Sequence, residues 1–420
     1  MKRHVRKHRV FRKAAPALFS EPWEDLIPQG HEVRLMRDVF DALDLQFLKE
    51  VYGVQGGVAY DPRRLLAVVL YGIGDGVRST RQLQEHCRFD NRYRFLMDGL
   101  TPDDRTFGRF LERLKDEPEQ IMKEVLRFAQ DRITLRVVSV DGTKLKGSVS
   151  QYKKALDGIE LSDPDASRMK DRTGYFNGFN CCSAVDADSG LIVGVSVSQD
   201  AADWHQLEPV LDSVEALSGR TPDAVVADSG FENFANADLC ASRKIESHLA
   251  PNPKIWPGWE VSESGQVICP QGHVLVAKDR YSNRHQLYQR YRIPQCSTCP
   301  VRQTCLTGSM TYRTLSAPEG VDPSARILNF HRARSGEGLH LLARRGQWSE
   351  TPHAQLKNND GIRQFQRRGL GKVRVEFLLW AISYNLRKLL RPFLELLGTL
   401  RLFFGRIEDE NPTRLERQAA

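Results

Sequence analysis

The sequence lacks an apolar run of the roughly 18 residues that a membrane-spanning helix needs. Its longest apolar stretches, Leu65–Ile73 and Phe377–Ile382, are typical of buried helices. The N-terminus is charged and has no apolar segment typical of a secretory signal. We therefore expect a cytoplasmic protein that has no membrane partner.

Two kinds of catalytic motif are also missing. We find no serine, histidine and aspartate arranged as in a hydrolase triad. The glycines at 72–76 have the wrong spacing for a phosphate-binding loop and lie between predicted helices. The sequence shows no internal repeat, and its eight cysteines in 420 residues do not indicate a disulfide framework. This length favours two or three domains with at least one sizeable core.

Positive charge is abundant and clustered. The formal net charge is +8, and seven lysines and arginines fall within Met1–Lys13. A second cluster comprises Arg363, Arg367, Arg368, Lys372 and Arg374. Such clusters favour a polyanionic partner, nucleic acid before membrane, although a solvated basic tail is equally compatible with the first cluster.

The N-terminal third has a helical pattern. We expect a flexible basic arm at 1–20 and a helical domain at 21–130. Arg78, Arg81 and Arg105 lie near the starts of its predicted helices. Short helices with arginines at their starts are typical of a helix-turn-helix DNA-binding domain, although a plain helical bundle fits the pattern equally well.

After residue 131 the apolar period changes to that of strands. The predicted order is strand, strand, strand, helix, strand, helix, strand, with strands at Val137–Val140, Gly178–Asp186, Leu191–Val197, Ala224–Ala227 and Ile245–Ala250. We therefore expect a catalytic core at 131–250, interrupted by a Cys-rich insertion at 251–336 without a sustained period. The core then resumes at 337–400, and 401–420 form a tail.

Three acidic residues fall at positions typical of metal ligands. Asp141 ends the first predicted strand at an Asp-Gly turn, Asp228 ends the fourth, and Glu350 lies on a later helix. If the first and fourth strands are neighbours, the two aspartates lie side by side. Three carboxylates suit Mg²⁺ or Mn²⁺, and a pair of such ions suits phosphodiester chemistry. For Asp141 alone, a strand-ending turn is the simpler interpretation.

Lys357 follows Glu350 by two helical turns, which predicts one shared helix face. A metal-binding carboxylate beside a lysine that contacts phosphate is consistent with DNA strand transfer. A surface Glu–Lys pair on an amphipathic helix explains the same spacing.

The insertion carries a cysteine cluster. Cys296 and Cys299 have the C-x₂-C spacing of a zinc site, and Cys269 and Cys305 can complete a tetrahedral Cys₄ set. His273 is an alternative ligand, and reduced cysteines without a metal remain the competing interpretation. A closed site of this kind would stabilise an insertion that has few core residues.

Several segments together resemble one known family. They include VSVDGTKLKGSVS around Asp141, VVADSGFENFAN around Asp228, and RRGQWSETPHAQLKNNDGIRQFQRR around Glu350. Over residues 30–395 the chain resembles bacterial insertion-sequence transposases of the DDE superfamily. The resemblance implies an α/β fold, a ribonuclease-H-like mixed sheet flanked by helices. The resemblance also implies an all-α N-terminal domain and a small Cys-rich insertion.

The resemblance also implies functional roles. Asp141, Asp228 and Glu350 would bind Mg²⁺ or Mn²⁺, and Lys357 would contact the transposon end. Arg345 is the nearest match to the arginine of the family's Tyr-Arg-Glu-Lys signature, and Leu342 stands in the tyrosine position.

We therefore expect a transposase that binds terminal inverted repeats of double-stranded DNA, as a homodimer, and catalyses metal-dependent cleavage and strand transfer. A DNA-binding protein without catalysis, derived from a transposase, and a ribonuclease-H-like nuclease are the alternatives.

Overall fold

The computed structural model describes residues 25–50, 59–114, 117–149, 162–171, 174–251, 257–283 and 286–409. The basic arm expected at 1–20 lies outside them. The chain divides into two compact units. The helical unit comprises 1–131, 146–165 and 355–420, and the sheet unit comprises 132–145 and 166–354.

The helices are α1 (Glu32–Ala42), α2 (Pro62–Gly74), α3 (Thr80–Phe89), α4 (Asn91–Leu96), α5 (Asp104–Arg113), α6 (Pro118–Phe128), α7 (Leu207–Ser218), α8 (Phe234–Ser242), α9 (Arg302–Cys305), α10 (Pro323–Arg334), α11 (Gly336–Ala354) and α12 (Leu370–Asp409). The strands are β1 (Val137–Lys146), β2 (Ser167–Asp171), β3 (Gly174–Asp186), β4 (Ile192–Ser198), β5 (Ala224–Ala227), β6 (Glu246–Leu249), β7 (Glu260–Val261), β8 (Val267–Ile268), β9 (Val276–Asn283), β10 (Gln286–Arg292) and β11 (Thr314–Pro318).

Side-chain caps define where helices of the helical unit begin. Ser79 accepts a hydrogen bond from the amide of Gln82 at the start of α3, and Asp103 accepts one from Thr106 at the start of α5. These oxygens satisfy amides that have no partner in the first helical turn. Arg81 and Arg105 lie in the first turns of these two helices, near the helix starts as expected.

Helix α12 belongs to the helical unit, which differs from our assignment of 337–400 to the catalytic core. The hydroxyl of Ser383 donates to the carbonyl of Leu70 on α2 at 2.7 Å. The apolar face of a helix has to be buried against another element, and α2 supplies that surface for α12. Helix α12 continues to Asp409, into the segment 401–420 that we expected to form a tail.

The sheet unit is built on a mixed sheet. Within the described residues the sheet has six strands in the order β2-β3-β1-β5-β6, with β4 also pairing β3. Strands β1, β5 and β6 run parallel, whereas β3 and β4 form an antiparallel hairpin. Helices α7, α8, α10 and α11 flank this sheet. The predicted α/β fold class, a mixed sheet flanked by helices, is confirmed.

Helix α10 closes the β6 edge of the sheet. The buried side chain of Asn329 accepts a hydrogen bond from the amide of Leu249 at 2.8 Å and donates to its carbonyl at 3.1 Å. This pairing satisfies backbone groups that an edge strand leaves open. Residues 323–334 therefore support the core sheet, whereas the sequence placed them in the insertion at 251–336.

The remaining insertion has regular structure of its own. Strands β9, β10 and β11 form an antiparallel sheet, and β7 and β8 form a short hairpin. Trp259, Val267, Leu275 and Ile293 pack in a small core that also contains Phe330 of α10. The sequence showed no strand period here because both faces of β9 are largely exposed, which removes the apolar alternation. No helix in the described part of the chain is long and apolar enough to cross a membrane.

Candidate active site

Asp141 lies inside β1. The strand continues to Lys146, so the turn expected at Asp141-Gly142 does not form. Because β1 pairs with the long strand β3, it continues through Asp141-Gly142, although this dipeptide by itself favours a turn. The amide of Gly142 donates to Asp141 Oδ1 at 2.9 Å, which fixes the orientation of the carboxylate.

Asp228 follows β5 directly, and β5 pairs with β1 in parallel. Val140 is the register partner of Ala227, so Asp141 and Asp228 occupy the next position on each chain. The amide of Gly230 donates to Asp228 Oδ1 at 2.8 Å. The two aspartates therefore lie side by side on adjacent strands. Each accepts a hydrogen bond from the backbone amide of a nearby glycine.

Glu350 lies on α11, and Arg345 links it to the sheet. The Arg345 guanidinium has one nitrogen 3.6 Å from Asp141 Oδ2 and another 3.5 Å from Glu350 Oε1. The Glu350 side chain is 64% exposed, whereas that of Asp141 is 15% exposed. The structure brings Glu350 to the same site as Asp141, with a cationic side chain between them.

His353 is a site residue that sequence reasoning missed. It lies one helical turn after Glu350, and its Nδ1 is 3.8 Å from Asp141 Oδ2. Its Nε2 is hydrogen-bonded to the hydroxyl of Ser183 on β3 at 2.9 Å. The i, i+3 spacing from Glu350 was the available signal, because such residues share a helix face.

The two aspartates have opposite pKa shifts. Burial raises the pKa of Asp141, but His353, Arg345 and the Gly142 amide outweigh it, so the net pKa is lowered. Burial raises the pKa of Asp228, and although the Gly230 amide opposes this, the negative charge of Asp141 raises it further. Paired carboxylates in partial burial are typical of functional sites.

Asp203 is the second residue that the sequence did not single out. It precedes α7 in a 3₁₀ turn, Asp203–His205. Its charge contributes to raising the pKa of Asp228, which places the two side chains in one electrostatic environment. The acidic site in this structure therefore includes Asp141, Asp228 and Asp203, with Glu350 at its margin.

The oxygen-rich donor set fits a divalent cation. Carboxylates are the ligands that Mg²⁺ and Mn²⁺ prefer. Among the described residues, no three acidic, cysteine or histidine side chains are close enough to hold a metal ion as they stand. Arg345 separates Asp141 from Glu350 and supplies positive charge at this position.

The arginines predicted at helix starts have different environments. The Arg78 side chain is only 11% exposed and forms an ion pair with Glu376 of α12. By contrast, Arg81 is 87% exposed, and Arg105 is exposed on α5. Arg78 is thus engaged within its own unit, and the other two arginines are accessible to a partner.

The C-terminal basic residues also differ from one another. Arg367 donates to the carbonyl of Leu111 at 3.4 Å, and burial lowers its pKa. Arg368 is exposed. Lys357 lies in a π-helical turn, Gln355–Asn359, so the regular α-helical spacing that predicted a face shared with Glu350 does not continue to it.

The predicted zinc ligands line one cavity in the insertion. Cys269, Cys296, Cys299 and Cys305 border it together with His273. Cys269 and Cys296 are buried, and the other two are half-buried. The Arg313 amide donates to Cys296 Sγ at 3.5 Å. The donor set suits Zn²⁺, although the side chains are not drawn in to ligating distance.

Solved structures that match this chain include two transposases. The piggyBac transposase synaptic complex with hairpin DNA is 11% identical, with a TM-score of 0.31, and the match covers 91% of this chain and 83% of that one. The Mos1 transposase paired-end complex with left transposon end is 13% identical, with a TM-score of 0.18, covering 49% and 62%. No protein of curated function matches the sequence.

Two family models match the sequence directly. The transposase DDE domain matches residues 268–390, which include the four clustered cysteines and Glu350. A transposase domain, DUF772, matches residues 21–113 in the helical unit. Asp141 and Asp228 lie outside both matched segments. The chain thus carries two transposase domains, one of them of the DDE type.

Proposed function

We propose that Asp141, Asp228 and Glu350 form the active site, at which this transposase cleaves and joins the ends of its own insertion element. The observation that carries the proposal is the parallel register of β1 and β5, which sets Asp141 and Asp228 at adjacent positions. Both are partly buried and held by backbone amides. Carboxylates fixed in this way are suited to hold a divalent cation, and DDE transposases use divalent metal ions.

Mg²⁺ is the cation we propose, in a pair. When bound, such ions lower the pKa of a water or 3′-hydroxyl nucleophile and stabilise the leaving oxygen of a phosphodiester. Asp141 and Asp228 would hold the first ion, and Glu350 would reach the site by side-chain rotation, since it is exposed on α11. His353 keeps the Asp141 carboxylate oriented through its contact with Ser183.

Arg345 has two roles in this proposal. In the metal-free protein its guanidinium offsets the negative charge of Asp141 and Glu350. On DNA it would turn to a phosphate near the element end, because a guanidinium binds phosphate as well as carboxylate. Lys357 would provide a second phosphate contact.

DNA recognition belongs to the helical unit in this proposal. Arg81 and Arg105 are exposed on α3 and α5, and we propose that they contact the terminal inverted repeats. Arg368 extends the basic surface of the same unit, whereas Arg367 and Arg78 form contacts inside that unit. We propose that the enzyme acts as a homodimer, in which two protomers hold the two ends of one element. The reaction would take place on bacterial DNA in the cytoplasm.

We further propose one structural Zn²⁺ in the insertion. Cys269, Cys296, Cys299 and Cys305 would bind it, with His273 as the alternative to a cysteine. Its role is to stabilise a small subdomain whose own apolar core is limited.

Cleavage and joining of labelled DNA that carries the element's flanking repeats, with Mg²⁺, tests the active-site proposal. Asp228→Asn should lower both activities about a thousandfold or more, because a lost carboxylate removes several kcal/mol of transition-state stabilisation. End binding should remain. Asp212→Asn, on the exposed side of α7, is the matched control and should be unaffected.

The outcomes separate the alternatives. Specific end binding without cleavage by the parent chain would favour a DNA-binding protein derived from a transposase. Cleavage without joining would favour a nuclease. Full activity of Asp228→Asn would overturn the assignment of the site.

A further inference from the structure

Asp203 is positioned by β3 and by its own turn. Its Oδ1 accepts a hydrogen bond from Asn180 Nδ2 at 2.8 Å. Asn180 lies on β3, the strand beside β1, and is fully buried. The 3₁₀ turn that begins at Asp203 leads into α7, which fixes the backbone position of this residue.

The two oxygens of Asp203 face two different chain segments. A Cβ built on Gly142 would lie 2.8 Å from Asp203 Oδ1, and one built on Gly230 would lie 3.3 Å from Asp203 Oδ2. The Gly230 Cβ would also lie 3.0 Å from Asp228 Oδ1. Asp203 therefore spans the gap between the backbone next to Asp141 and the backbone beside Asp228, and a side chain at position 142 would displace it.

A second, independent observation comes from Asn180. Its Oδ1 is buried and accepts no hydrogen bond within the described part of the protein. This oxygen lies 3.4 Å from the Cβ position of Gly142, on the same side as Asp203 Oδ1. A buried carbonyl oxygen without a donor costs about 1–3 kcal/mol, unless a cation or another donor satisfies it.

We propose that Asp203 is a further ligand of the divalent cation held by Asp141 and Asp228, with Asn180 Oδ1 as a neutral oxygen ligand beside it. The inference rests on the proposed active site. It adds a carboxylate from the start of α7 to those of β1, β5 and α11. Clustered carboxylates repel one another without a cation, and a divalent ion among them removes that repulsion.

Titration of the full-length protein with Mn²⁺, followed by the electron paramagnetic resonance signal of the free ion, tests the proposal. Asp203→Asn keeps the hydrogen bond from Asn180 and removes only the charge. We expect it to bind Mn²⁺ at least about tenfold more weakly than the parent. Asp212→Asn, which removes an exposed charge from α7, should bind like the parent.

Thermal unfolding gives a second measurement that does not depend on catalysis. In EDTA the melting temperature of Asp203→Asn should equal or exceed that of the parent, because one repulsive charge is gone. Mg²⁺ should raise the melting temperature of this variant less than that of the parent. This result also shows that the variant is folded.

Asp228→Asn separates the two proposals. Weak Mn²⁺ binding by both variants supports both. Parent-like binding and Mg²⁺ stabilisation in Asp203→Asn, with loss in Asp228→Asn, would overturn the role of Asp203 and leave the active site standing. Parent-like binding in Asp228→Asn would overturn the active site on which this inference rests.

Discussion

The guanidinium of Arg345 lies 3.6 Å from a carboxylate oxygen of Asp141, at the position where the proposed active site needs positive charge. The same guanidinium contacts Glu350. Arg345 therefore competes with a bound cation for two of the proposed ligands.

We predict that Arg345→Gln binds Mg²⁺ about tenfold more tightly, because a unit charge within 4 Å is worth at least about 1 kcal/mol. The gain in melting temperature on adding Mg²⁺ measures the effect. Arg344→Gln is the control, since Arg344 is exposed and stacks on Trp348. An equal Mg²⁺ response of the two variants would count against this role.

His353 contacts both Asp141 and Ser183, and we predict that it tunes the Mg²⁺ requirement of the enzyme. His353→Leu removes the contact that orients the Asp141 carboxylate. Groups that orient a ligand are worth about 10–100-fold in metal affinity or activity. DNA cleavage measured across a range of Mg²⁺ concentrations should show a higher half-saturating concentration. His340→Leu, on an exposed part of α11, should leave it unchanged; a parallel shift in that variant would contradict the prediction.

A buried ion pair stabilises the helical unit. The side chain of Asp360 is fully buried, accepts two hydrogen bonds from Arg387 at 2.9–3.0 Å, and accepts one from the Trp380 indole at 2.9 Å. Arg387→Met leaves a buried carboxylate without its cation. We expect the free energy of opening α12 to fall by about 3–5 kcal/mol.

Amide hydrogen exchange along α12 measures this loss. The control is Arg391→Met on the same helix, because Arg391 pairs with Glu395 at the surface and should contribute less than about 1 kcal/mol. Equal protection in the two variants would show that the Asp360 pair contributes little.

The cysteines of the insertion should be protected by zinc. We predict one Zn²⁺ per purified chain, with alkylation of Cys269, Cys296, Cys299 and Cys305 only after a strong chelator removes it. The other four cysteines should stay unmodified until the protein unfolds, because they are buried. Burial raises the pKa of Cys87 and of Cys240 to about 12, which keeps these thiols protonated.

Mass spectrometry of the alkylated peptides, with and without chelator, checks this result. Cys299→Ser should release the metal. Identical modification patterns in the presence and absence of chelator would contradict a zinc site.

Local sequence patterns predicted the elements that depend on interactions between neighbouring residues. Strand β5 is observed as predicted, and α3 and α5 begin close to Arg81 and Arg105 as expected, because N-caps and buried apolar runs act over a few residues. Helix α4 has only six residues and was missed. The exposed strand β9 was missed because its sequence has no apolar alternation.

Long-range contacts account for three features that differ from our expectations. Asp141-Gly142 is a turn signal by itself, but pairing with β3 continues the strand. Helix α10 was placed in the insertion, yet Asn329 fastens it to the edge of β6. Helix α12 was placed in the core, yet it packs on α2. In each case the deciding partner is distant in sequence, so no local window contains it.

The sequence by itself determined the transposase family, the mixed α/β class, and the acidic residues Asp141, Asp228 and Glu350 as candidates. It could do so because residue type and motif spacing are carried by the chain. Only the tertiary structure decided that Arg345 lies between two of these acids, that His353 contacts Asp141, and that Asp203 spans from Gly142 to Gly230. Those relationships depend on the register of β1 against β5 and on the seating of α7 and α11, and both are set by packing between segments far apart in the sequence.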